Sequence, residues 1–244
     1  MRPSTPRKQM LQERTIMNGL QPKRVLLLYF SFSGQTLGLM NRIAVGLERA
    51  GVAVTREKIH PETPMRFPVG GIIGTIWMML TTFFRKRNKI RELPAHCHEG
   101  YDLIILSGPT WSYNPSGPIL ALLDRDGPAL FAGQRVLPLI SCRGYWRMHW
   151  YGLRSKLLKC GARLENVIVF SHPNPEPWRT IGVFLKIAGK APERNKVIGK
   201  YYTKFGHSKS QQEEAEHFGQ LIGEALQNGQ ELSAIDFHTP GAIP

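Results

Sequence analysis

The chain has 244 residues, enough for one large domain or two small ones. Hydrophobic residues make up 42% and charged residues 20%, which excludes collagen-like, coiled-coil and wholly disordered chains. Lys and Arg number 32 against 18 Asp and Glu, a net charge of +14 that suits an acidic partner: anionic lipid, nucleic acid, or a phosphate- or carboxylate-bearing ligand.

Cys97, Cys142 and Cys160 are the only cysteines. They exclude a disulfide framework or a four-cysteine zinc site and favour a reducing compartment, so a cytoplasmic location is expected. The start of the chain has no signal-peptide core; it carries Arg2, Arg7, Lys8, Arg14, Lys23 and Arg24 against a single Glu13. Residues 1–22 are therefore expected to be a disordered basic tail, with Met17 as an alternative start.

From there the pattern alternates between short apolar runs and helical stretches. Residues 25–30 (VLLLYF) form a continuous apolar run, as in a strand buried on both faces. Residues 34–50 follow with Leu37, Met40, Ile43, Ala44 and Leu47 at helical spacing, and Gly51 closes the helix. Residues 52–59 alternate as a second strand, and 103–107 (LIILS) are a third, buried one, before a helix near 117–123. Residues 135–141 (RVLPLIS) predict a fourth strand despite Pro138, and 146–160 a helix ending at Gly161. Residues 164–170 predict a fifth strand and 211–226 a closing helix. This alternation predicts an α/β fold, a parallel sheet covered on both faces. Two segments, 60–98 and 172–207, stand outside it as insertions. The expected organisation is one domain over 23–230 and a C-terminal tail over 231–244.

The chemistry concentrates in Ser31, Phe32, Ser33, Gly34, Gln35 and Thr36, between the first strand and the first helix. Hydroxyls, a glycine and the free N–H groups of a helix start converge there, a setting that binds phosphate without a cation. The turn is neither a P-loop nor a Gly-x-Gly-x-x-Gly dinucleotide turn. A simple Ser-capped helix start remains the alternative.

This turn resembles the FMN-phosphate loop of the flavodoxins, Thr/Ser-x-Thr/Ser-Gly-x-Thr, which Ser31, Ser33, Gly34 and Thr36 match. Residues 101–109 (YDLIILSGP) resemble the family's third strand and first flavin loop, and Ser141-Cys142-Arg143-Gly144 its second flavin loop. The resemblance implies a flavodoxin-like open five-stranded sheet of order 2-1-3-4-5 with two insertions, and FMN as cofactor. It places the flavin among residues 31–36, Pro109, Thr110, Trp111, Ser112, Tyr113 and Asn114, and Ser141, Cys142, Arg143, Gly144, Tyr145 and Trp146. Ligands of open α/β sheets lie at these carboxyl ends of the strands, and aromatics in the last two loops would flank a flat ring. The strong basic balance is unlike that of small acidic electron carriers and more similar to flavodoxin-like oxidoreductases. The apolar insertion, the loop of Cys142, Arg143 and Trp146 and the lead-in at residues 161–166 (GARLEN) more weakly resemble the family of dialkylresorcinol-condensing enzymes, and menaquinone-dependent protoporphyrinogen oxidases share the core, the basic balance and membrane association. The expected activity is an NAD(P)H- or quinone-linked oxidoreductase acting on a lipophilic or aromatic substrate. The alternative is a flavodoxin-fold binding protein without redox activity, for example in a lipid or resorcinol biosynthetic system.

Other groups are set aside. No distant ligand pair accompanies His96-Cys97-His98, so no metal is expected. Cys142 reads as a small packed residue. Residues 67–84 (FPVGGIIGTIWMMLTTFF) are uncharged and at the lower length limit of a membrane span, but crossing would divide one sheet across the bilayer. Ile72, Ile73, Ile76, Trp77, Leu80, Phe83 and Phe84 share a helical face, expected to cover the sheet between strands two and three. Its surplus, with Arg85-Lys86-Arg87 behind, suits either an anionic membrane surface or a homodimer. No nucleic-acid partner is expected.

Overall fold

The computed structural model describes residues 22–242; the expected basic tail and the Met17 start lie outside the described residues. A parallel sheet forms the centre: β1 (Arg24–Tyr29), β2 (Ala53–Lys58), β3 (Leu103–Trp111) and β5 (Arg135–Cys142), in the order β2-β1-β3-β5. Two short strands, β6 (Arg163–Leu164) and β7 (Ile168–Ser171), share the outer edge of β5, and β4 (Asn114–Pro115) turns back on β3. The apolar runs of β1 and β3 read continuously because both faces are covered. Val25 and Leu27 face one core layer, and Leu26 and Leu28 the other.

The fifth strand is broken where the sequence reads a single run. The gap, residues 165–167, falls opposite Leu137 and Pro138, which have no partner on that side. Proline offers no N–H there, which removes a ladder bond. Asn166 fills the break instead: its amide donates to the carbonyls of Leu232 (3.1 Å) and Ile235 (2.9 Å). Glu165 pairs with Arg135 and accepts the N–H of Leu232. The segment after residue 230, expected as a tail, is thereby drawn in. It places Leu232, Phe237 and Ala242 in the core.

On one face lie α1 (Gln35–Arg49) and α7 (Lys209–Gln227). Ser208 and Gln211 cap α7 reciprocally. The two helices touch through glycine. A Cβ on Gly219 would lie 2.2 Å from the Ile43 carbonyl oxygen, and one on Gly46 2.0 Å from that of Glu216. Arg42 and Arg49 both pair with Glu216 at the rim of the contact. The other face carries α3 (Gly117–Arg125), α4 (Gly127–Phe131) and α5 (Trp146–Lys159).

The first insertion departs from expectation. Its helix, α2 (Ile72–Phe83), buries only Thr75 and Thr82 and does not cover the sheet. Ile59, Ile90, Cys97 and Tyr101 close that face instead. The threonines bond back to α2's own carbonyls and to Ser112, so the helix docks by its polar stripe and leaves its apolar side outward. The second insertion carries α6 (Trp178–Ile187), and the two insertions meet. The N–H groups of Val69 and Gly71 donate to the carbonyls of Ile187 (2.9 Å) and Ala188 (3.1 Å). Phe67 stacks on Phe205 at 5.5 Å and 11°. Together they roof the carboxyl ends of the strands.

The glycine contact gives a direct test of the α1–α7 packing. Gly219→Ala forces the two backbones apart and is expected to destabilise the protein by about 1–3 kcal/mol in urea unfolding. Unchanged stability would show that the helices do not meet there.

Candidate functional site

The turn after β1 is built by glycine. Gly34, at φ 83°, occupies the left-handed region and swings the chain from strand into helix. The Ser31 hydroxyl accepts the N–H of Leu37 at 3.2 Å, capping the first turn. Among the described residues no acceptor faces the N–H groups of Gln35 and Thr36, so two donors at the positive end of α1 stay available.

The segment after β3 is a tight hairpin rather than an open loop. Trp111 pairs with Asn114 across Ser112 and Tyr113, both left-handed, at φ 43° and 69°. Two non-glycine residues in that region are strained, and the surroundings hold them. Ser112 Oγ bonds Thr82 Oγ1 at 2.8 Å and the Met79 carbonyl at 2.9 Å. Asn114 is buried; it accepts from Arg85 Nε (2.8 Å) and donates to the Phe83 carbonyl (3.2 Å). Arg85 itself sits at φ 56°. The hairpin and α2 are therefore one unit.

Two cavities meet at these ends. The narrow one, about 100 Å³, brings all three expected segments together: Phe32, Ser33, Gln35 and Thr36; Pro109, Thr110 and Trp111; and Ser141, Cys142 and Arg143. His172, Phe67 and Phe205 close it from the insertions. The larger one, about 450 Å³, is lined by Ser112, Tyr113 and Tyr145, by Ile76, Met79, Leu80 and Phe83 of α2, and by Val183, Phe184 and Ile187 of α6. Met78, Thr110, Trp111, Arg143, Val183 and Ile187 belong to both walls.

Several expected site residues stand elsewhere. Gly34 lines a separate hollow with Lys204 and Phe205. Ser31 and Asn114 are occupied as described. Gly144 and Trp146 line neither cavity, and Trp146 packs on the core with the Arg147 guanidinium 5.0 Å from its ring centre. Of the four aromatics, Trp111 is fixed in the wall by edge-to-face contacts with Phe30 (5.6 Å) and Phe32 (5.4 Å). Tyr113 and Tyr145 are the accessible pair, 5.5 Å apart at 69°.

No acidic residue lines either cavity. Their one ionised side chain is Arg143, whose Nε is buried without a partner and whose guanidinium lies over the Tyr145 ring at 5.5 Å. The site thus favours an anion beside a flat apolar group. Burial pushes the Cys142 thiol up to about 12, opposed only in part by the Gly144 N–H and by Arg179 and Arg143, so it is a protonated wall residue.

Three buried histidines back the site, none of them marked in the sequence as a site residue. His149 Nδ1 meets Thr110 Oγ1 at 2.7 Å. His207 Nε2 meets Ser141 Oγ at 2.9 Å, while its Nδ1 is buried without a partner. His172 stacks on Tyr202 at 5.4 Å and accepts the Gly206 N–H. Desolvation holds His149 down to about 3, and His172 and His207 to about 4. All three are neutral at pH 7 and act as hydrogen-bonding struts rather than as acids or bases. Elsewhere, Glu57 of β2 joins His96 and Cys97, with ligand atoms within 4.8 Å of one another; none of the three lines either cavity.

No protein-family model matches the chain, and no curated protein matches it in sequence. Among solved structures it is similar to a Lactobacillus acidophilus flavoprotein in complex with FMN, at 19% identity over 60% of this chain and 93% of that one, TM-score 0.48. It is similar to a flavodoxin from the domain Archaea at 12% identity, over 84% and 99% of the two chains, TM-score 0.49. A WrbA-like flavodoxin from Agrobacterium tumefaciens matches at 14% identity, over 84% and 98%, TM-score 0.47. The topology itself settles the architecture: a parallel sheet of order β2-β1-β3-β5, ended by β6 and β7, with helices on both faces. The fold is flavodoxin-like.

The histidines give the flavodoxin-like core a pH signature. Their folded values lie below the unfolded 6.5, so the unfolded chain takes up protons first and stability falls as pH drops from about 6.5 toward 4. The expected loss between pH 7 and pH 5 is about 2 kcal/mol for each histidine, read from urea midpoints. A midpoint that does not move over that interval would contradict their burial as neutral rings.

Proposed function

We propose that the protein is an FMN-binding oxidoreductase, linked to NAD(P)H or a quinone and acting on a lipophilic or aromatic substrate. The observation that carries this reading is the convergence of the β1–α1 turn, the end of β3 and the end of β5 with Arg143 on one cleft without an acidic wall residue. The residues present fit the group. The free N–H groups of Gln35 and Thr36 and the hydroxyls of Ser33 and Thr36 offer donors to a phosphate. The narrow cleft is too small for a whole flavin, and the 450 Å³ cavity that shares its walls supplies the remaining volume.

When bound, FMN supplies the redox chemistry. The chain binds, orients and shields. Thr110, tied to His149, and Ser141, tied to His207, hold hydroxyls fixed at the cleft. Arg143 presents positive charge beside Tyr145, where it favours negative charge developing on a bound ring. Phe67 and Phe205 exclude water above the turn. No His or Cys on the cavity walls titrates near neutrality, so the reading assigns no general acid or base to them.

The alternative, a binding protein of this fold without redox activity, draws on the fixed position of Trp111 and the narrowness of the cleft. The visible spectrum separates the two. Purified protein incubated with FMN is expected to keep a stoichiometric flavin absorbance that NAD(P)H or a hydroquinone bleaches under anaerobic conditions; bound flavin that neither donor bleaches would favour the alternative. FMN is expected to bind more tightly than riboflavin. The Ser33→Ala/Thr36→Ala variant should lose about 1–3 kcal/mol toward FMN and little toward riboflavin. Equal affinity for the two flavins would overturn the phosphate site.

A further inference from the structure

The apolar side of α2 has no cover. Ile73 is 86% exposed, Trp77 66% and Phe84 77%, with Ile72, Leu80 and Phe83 also open to solvent. A contiguous apolar surface of this kind on a folded protein marks an interaction site. It is also the mouth of the larger cavity. Ile76, Met79, Leu80 and Phe83 are at once cavity wall and exposed surface, so whatever covers this face covers the entrance.

Charge selects the occupant. No residue of α2 is charged, and no acidic residue occurs between Glu62 and Glu92. Cations stand at both ends. Lys86 follows the helix, Arg66 precedes it, and Lys190 is brought to its start by the bonds from Val69 and Gly71 to the end of α6. Arg87 and Lys186 are neutralised by Asp124 and Glu193, whereas Arg66, Lys86 and Lys190 are exposed without an acidic partner among the described residues. A second copy of this chain would set two cationic rims against each other. An anionic bilayer matches both features: lipid tails take the apolar face and headgroups take the rim.

We propose that α2 lies in the plane of an anionic membrane surface and that the 450 Å³ cavity opens through it to the lipid. The substrate of the proposed flavin site is then a lipophilic molecule dissolved in the bilayer; this last step rests on the flavin reading, while the docking face does not. Among the described residues no helix is long and apolar enough to cross a membrane, so the attachment is peripheral.

The test is co-sedimentation of the whole chain with phosphatidylcholine vesicles, with and without phosphatidylserine, in parallel with FMN titration of the same samples. The wild-type chain is expected to pellet with the anionic vesicles at low salt and to lose most of that binding at about 0.5 M salt, where charge is screened within a few ångströms. Ile73→Asp/Trp77→Asp changes exposed side chains only and is expected to lower vesicle binding by about tenfold or more while FMN affinity stays unchanged. A double variant that pellets as well as wild type overturns the proposal, because the attachment then lies elsewhere, for instance in the basic N-terminal segment. A wild-type chain that stays in the supernatant and sediments as a dimer that Ile73→Asp/Trp77→Asp dissociates overturns it as well. Vesicle binding through α2 by a chain that takes up no FMN supports the docking face and removes the flavin reading alone.

Discussion

The register of three neighbouring parallel strands is the constraint on which the site depends. Tyr29 of β1 lies beside Ser107 of β3, Ser107 beside Leu139 of β5, and Pro109 beside Ser141. The strands therefore end at one edge, and the turns that follow β1, β3 and β5 face each other across one cleft. A slip by one residue would exchange the side chains of the two core layers along the strand. Leu26 and Leu28 pack on one layer and Val25 and Leu27 on the other, so a slip misfits side-chain shapes on both faces and breaks the buried bond from the Ser107 hydroxyl to the Leu139 carbonyl (2.8 Å). The glycine-lined contact of α1 with α7 then fixes the helix whose first residues, Gln35 and Thr36, line the cleft.

A second dependence links the site to the surface. The β3–β4 hairpin carries Tyr113, an accessible cavity aromatic, and its two left-handed non-glycine residues are braced by bonds to α2 and Arg85 as well as by the hairpin's own pairing. The same helix supplies a cavity wall and the exposed apolar face. A few named hydrogen bonds thus join α2 to the hairpin that carries Tyr113. The two insertions, far apart in sequence, meet by backbone bonds and by the Phe67–Phe205 stack, and so turn an open sheet edge into an enclosed site.

Much of this was legible in the sequence. The central strands stood out as continuous apolar runs, and residues 31–36 as the turn from the first strand into the first helix, because both signals are local. The split of the fifth strand was not, since it answers Pro138 in the neighbouring strand. Trp111 reads in the sequence as a loop aromatic that would flank a flat ring; its contacts with Phe30 and Phe32 depend on how far β3 runs past its apolar core. The helix over residues 72–83 was visible, but its placement off the sheet was not: Thr82 bonds Ser112 of the hairpin while most of the helix's apolar residues stay outside. His149, His172 and His207 carried no signal at all. Each is an isolated residue in sequence, and only the fold sets each beside the site.

The proposed flavin site has the phosphate at the start of α1 and the ring in the larger cavity, which Tyr113 and Tyr145 line. A crystal structure of the protein grown with FMN tests this most directly. The account predicts phosphate oxygens within hydrogen-bonding distance of the Gln35 and Thr36 amides and the ring in the larger cavity, beside the two tyrosines. Flavin bound with its phosphate away from that turn, or crystals that hold none, would contradict it.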